Sequence, residues 1–505
     1  MSLHELVDDW EFKESEFMQY LEQSVISLAE LLIRPELSDS KTRVFKCLLI
    51  LVQRLESKIM PYVHDIFCHV RDAVQMYTSK AASDSDPIFM GTVIEMVCTL
   101  VSVLGYSQSQ QNEQPDQPIF YIENFLEFIV PLIRYSIENS LHVLEDGTIL
   151  WRYTLHSLSD TTLPLMVGNN HPASILLDLF ISLCEMFEHC GSTEYFDDYF
   201  DLVSSYILLG IASTIPGPDN IYMNKLISVL TMLLDSDTYS SAVLEPITEI
   251  IDYLFLKNSE IAQTQLLLDC LDSSGFIESI TKPSLLSSDY SKSYVALFIS
   301  RLLVLPFSFG SLGSTFEPII SNIINHLVST GIDLMDILVV GYQRYESVEY
   351  NPNNTRFQLL LAFATAILAG LGYGSNSVAS PNNHAVTYTQ LVNDVWLPTL
   401  AFNSEEEIIS AISSEDSPSY ELPHLHRRLV ALKSDLVLNY PWKLFLHSRL
   451  MHLDLAQFRG NASGKGNELD PGYSQTKLSR NFLDFLATEM ESAEFADEFA
   501  EMLQS

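Results

Sequence analysis

Phe17, Leu21, Val25, Leu28 and Leu32 fall at i, i+4, i+8, i+11 and i+15. The same helical period returns along most of the chain. Val44, Leu48, Leu51 and Leu55 follow it, as do Val63, Phe67, Val70, Val74 and Tyr77. So do Phe89, Val93, Val97, Leu100 and Leu104, then Ile122, Leu126, Ile129, Ile133 and Ile137. Leu176, Phe180, Leu183 and Phe187 continue it, and later Ile319, Ile323 and Leu327. Such spacing gathers apolar side chains on one stripe of a helix. No stretch alternates with period two between hairpin turns, so strands are not expected.

The predicted helices run about 15 to 20 residues and pair across short polar joins, giving units of about 40 to 55 residues. A lone amphipathic pair cannot bury its stripe, but stacked neighbours can. The expectation is an all-α fold: an α-solenoid of HEAT-like helical hairpin repeats forming a superhelix. Pro61, Pro246 and Pro318 are placed near the first turns of second helices, where a missing N–H costs nothing. The array is expected over residues 1–412, with polar joins at Ser107–Pro118 and Ser213–Asn220. Residues 413–425 read as an acidic Pro/Ser loop and 426–459 as a terminal helical segment. Residues 460–477 read as a disordered linker and 478–505 as an acidic helix.

Hydrophobic residues make up 47% of the 505, ample for a large core. Sixty-five acidic residues against 27 basic ones give a net charge of −38. That balance argues against nucleic acid and anionic membrane as partners and favours basic proteins. The six cysteines form no C-x-x-C and read as buried thiols of a reducing compartment. The first residues carry no signal-peptide pattern. The apolar run from Phe357 contains Gln358 and is too short to span a bilayer, so it reads as a buried helix.

The stretch "HVLEDGTILWRYTL" raises the question of chemistry. Asp146 is read as an N-cap, with Leu144, Thr148, Trp151, Leu155 and Leu158 on the buried face of the following helix. Asp197, Asp198 and Asp201 match half of the aspartate-rich pattern that holds Mg²⁺ and diphosphate in helical synthases, but no second motif accompanies them. "GSLGS", "GKGN" and "GYGSNS" fail as nucleophile elbow, P-loop and dinucleotide fingerprint. His424 and His426 have no further metal ligand close in sequence. No catalytic, cofactor-binding or metal residues are therefore expected. What remains is a set of acidic stripes: Asp65 and Asp72; Glu123 and Glu127; Asp178 and Glu185; Glu245, Glu249 and Asp252. Together with Asp197, Asp198 and Asp201 they are the candidate surface for a basic protein cargo.

Four stretches carry a family resemblance: "LVDDWEFKESEFMQYLE" (Leu6–Glu22), "RLESKIMPYV" (Arg54–Val63), "HVLEDGTILWRYTL" (His142–Leu155) and "HRRLVALKSDLV" (His426–Val437). In order, they resemble the C-terminal half of a karyopherin-β nuclear transport receptor. The element Glu145–Trp151 is the most specific, followed by the basic residues Arg427, Arg428 and Lys433. Leu436 stands where the family has proline. The resemblance implies a monomeric, non-enzymatic receptor that shuttles between cytoplasm and nucleus through the nuclear pore. It would bind basic protein cargo and the Phe-Gly repeats of nucleoporins. Its main Ran GTPase site would lie in N-terminal repeats that precede this chain. A different HEAT-repeat scaffold is the alternative, and a Mg²⁺-dependent diphosphate synthase a remote one.

Overall fold

Every long segment of this computed structural model is helical, and no strand occurs among the described residues. Those residues are 14–34, 41–80, 87–110, 122–138, 140–158, 175–189, 193–211, 221–236, 238–258, 260–308 and 316–346. Phe357, Leu360, Leu361, Ala364, His424, Arg427, Arg428 and Ala431 are described singly. The boundaries expected beyond residue 346 otherwise lie outside them, as do most of the apolar run from Phe357 and the join Ser213–Asn220.

Two compact units divide the chain. The first holds Met1–Pro216 with Ser413–Leu429, the second Gly217–Ile412 with Val430–Ser505. The first unit contains α1 (Glu14–Ile33), α2 (Lys41–Leu55), α3 (Met60–Lys80) and α4 (Pro87–Gln110). It continues with α5 (Leu126–Glu138), α6 (Ser140–Ser157), α7 (Ile175–His189) and α8 (Phe196–Leu208). Consecutive helices pair as α1/α2, α3/α4, α5/α6 and α7/α8. Alternate helices then stack: α1 on α3, α2 on α4, α4 on α6, α5 on α7 and α6 on α8. Odd helices thus form one layer and even helices the other.

The second unit contains α9 (Ile221–Asp235), α10 (Ser240–Lys257), α11 (Ile261–Ser273) and the short α12 (Phe276–Ile280). It ends, among the described helices, with α13 (Asp289–Ser308), α14 (Glu317–Ser329) and α15 (Leu334–Glu346). Here α9 packs on α10, α11 and α12, while α10 packs on α13 and α13 on α15. The fold is an all-α array of stacked helical hairpins, the solenoid class that the periodicity predicts.

The apolar stripes are the core. Leu21, Leu32, Leu48, Leu51, Phe67, Val97, Ile129, Phe180 and Leu327 are all buried. Val44 and Ile319 are only half-buried, because Phe45 and Ile320 turn inward beside them. Pro318 does sit in the first turn of α14, and Pro61 is the second residue of α3. Pro246 does not. Its helix begins six residues earlier than the proline suggested, at Ser240, so Pro246 lies in the interior of α10. The join expected from Ser107 also starts late, since α4 continues to Gln110.

Polar contacts display the repeat directly. Arg134 and Asp178, Arg152 and Asp198, Asn224 and Cys270, Glu245 and Tyr290, Asp252 and Arg301, and Tyr294 and Arg344 are each 44 to 50 residues apart. Each pair ties one hairpin to the next. The interval exceeds the roughly 34 residues of a tetratricopeptide unit and lies at or just above the upper end of the HEAT and armadillo range of about 40 to 47.

Candidate functional site

The acid-aspartate-glycine element proves to be a packing device. Ser140 starts α6, so Asp146 is in mid-helix and does not cap it. The N-cap chemistry of Asp146 had suggested a later start. Asp146 is partly buried, and that burial, with Glu145 beside it, raises its carboxyl above the usual range. Gly147 is where α6 meets α5. A Cβ there would come within 1.7 Å of Ser136 Oγ and 2.2 Å of Ser136 Cβ. Glycine costs about 1 kcal/mol in a helix interior, and this close crossing is the reason it is tolerated. One turn on, Trp151 Nε1 donates to Tyr206 Oη (3.0 Å), whose hydroxyl donates to Leu176 O (2.9 Å). The rings meet edge to face at 6.2 Å between centroids. This chain of bonds joins α6, α8 and the start of α7.

The carboxyl end of α6 gathers most of the chemistry in the first unit. His156 is buried, and its Nε2 lies 3.1 Å from Ser205 Oγ and 4.0 Å from Asp201 Oδ2 on α8. Its ring stacks on that of His424 at 4.0 Å and 14°. Arg427, 2% exposed, donates to three main-chain carbonyls: Leu158 O (2.6 Å), Leu155 O (3.0 Å) and His156 O (3.1 Å). Arg152 reaches Asp198 (3.5 Å) and Asp201 (3.8 Å). Burial, reinforced by Arg427, Arg152 and Arg428, pushes the His156 imidazole down to about 3. Burial, then His156, Arg427 and Arg428, also holds His424 well below its usual value. Both rings are neutral at physiological pH.

His156, Asp201 and His424 bring ligand atoms within 4.8 Å of one another. Two near-parallel rings 4.0 Å apart cannot both aim an in-plane lone pair at one ion. Guanidinium groups on two sides add repulsion for a divalent cation. The residues do not fit a metal centre. The cation beside them is the Arg427 guanidinium, held by the carbonyls at the end of α6.

The candidate acidic residues divide by environment. Asp65, Asp72, Glu127, Asp178 and Glu185 are exposed on α3, α5 and α7, all in the odd layer of the first unit. Within that set Asp72 pairs with Arg71 (3.0 Å) and Asp178 with Arg134 (3.2 Å). The side chain of Glu123 lies outside the described residues. Asp197 is exposed, whereas Asp198 and Asp201 already face Arg152. That guanidinium takes the place the Mg²⁺ reading reserved for a metal. In the second unit Glu245 accepts from Tyr290 Oη (3.2 Å), and Glu249 accepts from Tyr253 Oη (3.0 Å). Arg344 covers the rings of Tyr290 and Tyr294 at 4.5 and 4.8 Å. Asp252 corrects the stripe drawn through it. It is 7% exposed and bound twice by Arg301, through Nε at 2.9 Å and Nη2 at 2.6 Å. An i, i+7 spacing with Glu245 does not reveal that Asp252 turns inward toward α13.

Comparison with known proteins finds a likeness. A family model described as "Importin-11-like, TPR repeats" matches residues 122–309. Mouse (Mus musculus) and human (Homo sapiens) importin-11 are each 26% identical over 207 residues, 40% of this chain. Over those stretches the chain is similar to importin-11. The aligned stretch covers 18% of the length of those two relatives. The importin-11-like match runs from the start of α5 to the end of α13. It therefore contains the Trp151–Tyr206 and Asp252–Arg301 pairs. His424 and Arg427 lie beyond it. Sequence reading missed their meeting with His156 and Asp201, because Arg427 is 269 to 272 residues from its acceptors and no local spacing signals such a contact.

Proposed function

We propose that this importin-11-like chain works as a nuclear transport receptor, or as part of one, binding protein cargo without a bond-making step. The observation that carries the reading is the importin-11-like match, falling on a stacked array whose hairpins are tied by polar pairs at the repeat interval. The odd layer of the first unit exposes Asp65, Asp72, Glu127 and Glu185, and a protein of net charge −38 attracts basic cargo to such a face. Phe-Gly nucleoporin repeats would meet apolar seams between helices during passage through the pore. RanGTP would release cargo in the nucleus by favouring a different arrangement of the array.

A pull-down with immobilised RanGTP, Phe-Gly peptides and a basic ribosomal protein tests the reading. Capture of the Phe-Gly peptide, together with cargo binding that weakens as salt rises, is expected. Silence with all three favours a general HEAT scaffold. The residues of the surface are tested by changing Asp65, Asp72, Glu127 and Glu185 together to Lys. Binding of the basic protein should fall about tenfold at low salt with helicity intact. Unchanged affinity removes this face from the cargo site.

A further inference from the structure

We propose that the carboxyl end of α6 is an arginine-recognition cage, occupied here by the chain's own Arg427, and that an arginine-bearing segment of a basic partner takes the cage by displacing it.

The cage is built from carbonyls at the helix end, of which Leu155 O also accepts from Leu158 N–H at 3.4 Å. The last carbonyls of an α-helix lack intrahelical donors, and that end carries the negative pole of the helix dipole. At α6 the carbonyls of Leu155, His156 and Leu158 converge on one guanidinium at 2.6 to 3.1 Å. A planar fork with five donors reaches three fanned oxygens at once. An ammonium, a compact point charge, does not. Beside this fan of carbonyls the His156 ring stacks on His424, and Asp198 and Asp201 on α8 are engaged by Arg152. The fan of carbonyls thus matches a guanidinium better than an ammonium.

The occupant is not part of the stacking that builds the unit. Other side-chain bonds between helices of the first unit join residues 30 to 55 positions apart, as in Tyr206–Leu176, Arg134–Asp178 and Trp151–Tyr206. Arg427 arrives from about 270 positions away, and its neighbour His424 comes with it to stack on His156. The segment is also basic: "HLHRRLVALK" brings Arg427, Arg428 and Lys433 into a chain with 27 basic against 65 acidic residues. It binds as a ligand would, from the same polypeptide. Displacement exchanges one arginine for another, so a partner needs only modest affinity when several of its arginines act together. The inference rests on the reading of the chain as a receptor for basic proteins, and it names the side chain that such a protein presents.

The test uses the full chain and fluorescein-labelled octa-arginine, with octa-lysine as the control. Arg427→Ala empties the cage. It should bind octa-arginine about tenfold tighter than the unaltered protein, with no matching gain for octa-lysine. Equal affinity in the two proteins, or equal gains for both peptides, overturns the cage. A measurement without a variant covers the case in which Arg427→Ala unfolds. Adding octa-arginine to the unaltered chain should raise amide hydrogen exchange across residues 424–431. Unchanged exchange at saturating peptide overturns displacement. The pull-down with RanGTP and Phe-Gly peptides is scored separately. Binding there without an Arg427 effect refutes the cage alone. An Arg427 effect without binding there keeps the cage and refutes the transport reading.

Discussion

Trp151 donates its indole N–H to the hydroxyl of Tyr206, 55 residues further along, and Tyr206 passes the bond on to the carbonyl of Leu176. Both aromatic side chains are buried, so water cannot replace either partner. Tyr206→Phe keeps the ring and removes the hydroxyl, leaving one donor and one acceptor unsatisfied. The expected loss is about 1–3 kcal/mol for each orphaned group. Urea unfolding followed by circular dichroism measures it. A midpoint equal to that of the unaltered protein means that the bond contributes nothing net.

Gly147→Ala should be more damaging than its single methyl suggests. The new Cβ would fall inside Ser136, against Cβ as well as Oγ, so a change of rotamer does not relieve it. Overpacking of this kind costs about 1–3 kcal/mol or more. Ser136→Ala leaves the clashing Cβ in place and gives little rescue. Ser136→Gly removes it, and the double variant should recover part of the loss in the same unfolding experiment. Equal stability of Gly147→Ala with Ser136→Ala and with Ser136→Gly would falsify this account of the crossing.

The helical period was legible because burial dictates it. Nearly every stripe from Phe17 to Leu327 turns inward, and the family resemblance in "LEDGTILWRY" falls on a helix that makes contacts of high specificity. Local sequence did not reveal where that helix starts. Asp146 has the chemistry of an N-cap, but the apolar contact of Val143 with the core extends α6 back to Ser140. Pro246 misled in the same way, since tertiary packing around Leu244 and Ile247 holds the helix through it. Partnership across the fold was also illegible. Asp252 and Glu245 look alike in sequence, yet one is buried on Arg301 and the other meets Tyr290 at the surface. The cage at α6 depends on two segments that share no period.

Asp252 and Arg301 supply a contrast between removing a charge and removing a pair. Arg301→Met alone strands a buried carboxylate, which costs about 3–5 kcal/mol. Asp252→Leu alone strands the guanidinium at similar cost. Asp252→Leu with Arg301→Met replaces the pair by apolar groups and should be more stable than either single variant. A double-mutant cycle in urea reads the coupling. Additive losses would mean that the two charges do not depend on each other, against the two short bonds between them.

The first unit should weaken as pH falls, through His156 and His424. Unfolded, each imidazole titrates near its ordinary value of about 6.5. Folded, His156 takes up its proton only at about 3. Between those values the unfolded chain binds more protons than the folded one, so stability rises with pH and is lost as pH drops through that window. The groups facing His156 fix the sign. Arg152 from its own helix, with Arg427 and Arg428 from the returning segment, oppose a positive ring. Asp201 and Ser205 from α8 favour it but are outweighed by burial. The loss is at most about 1.4 kcal/mol per pH unit for one histidine. Carboxylates titrate at the lower end of the same window, so the comparison is made at about pH 7 and about pH 5.5, above most of them. His156→Gln keeps a polar neighbour for Ser205 and cannot be protonated. The unaltered protein should lose more stability between those two conditions than His156→Gln does. Equal losses would mean that His156 titrates in the folded chain as it does in water, and that burial at the end of α6 does not govern its charge.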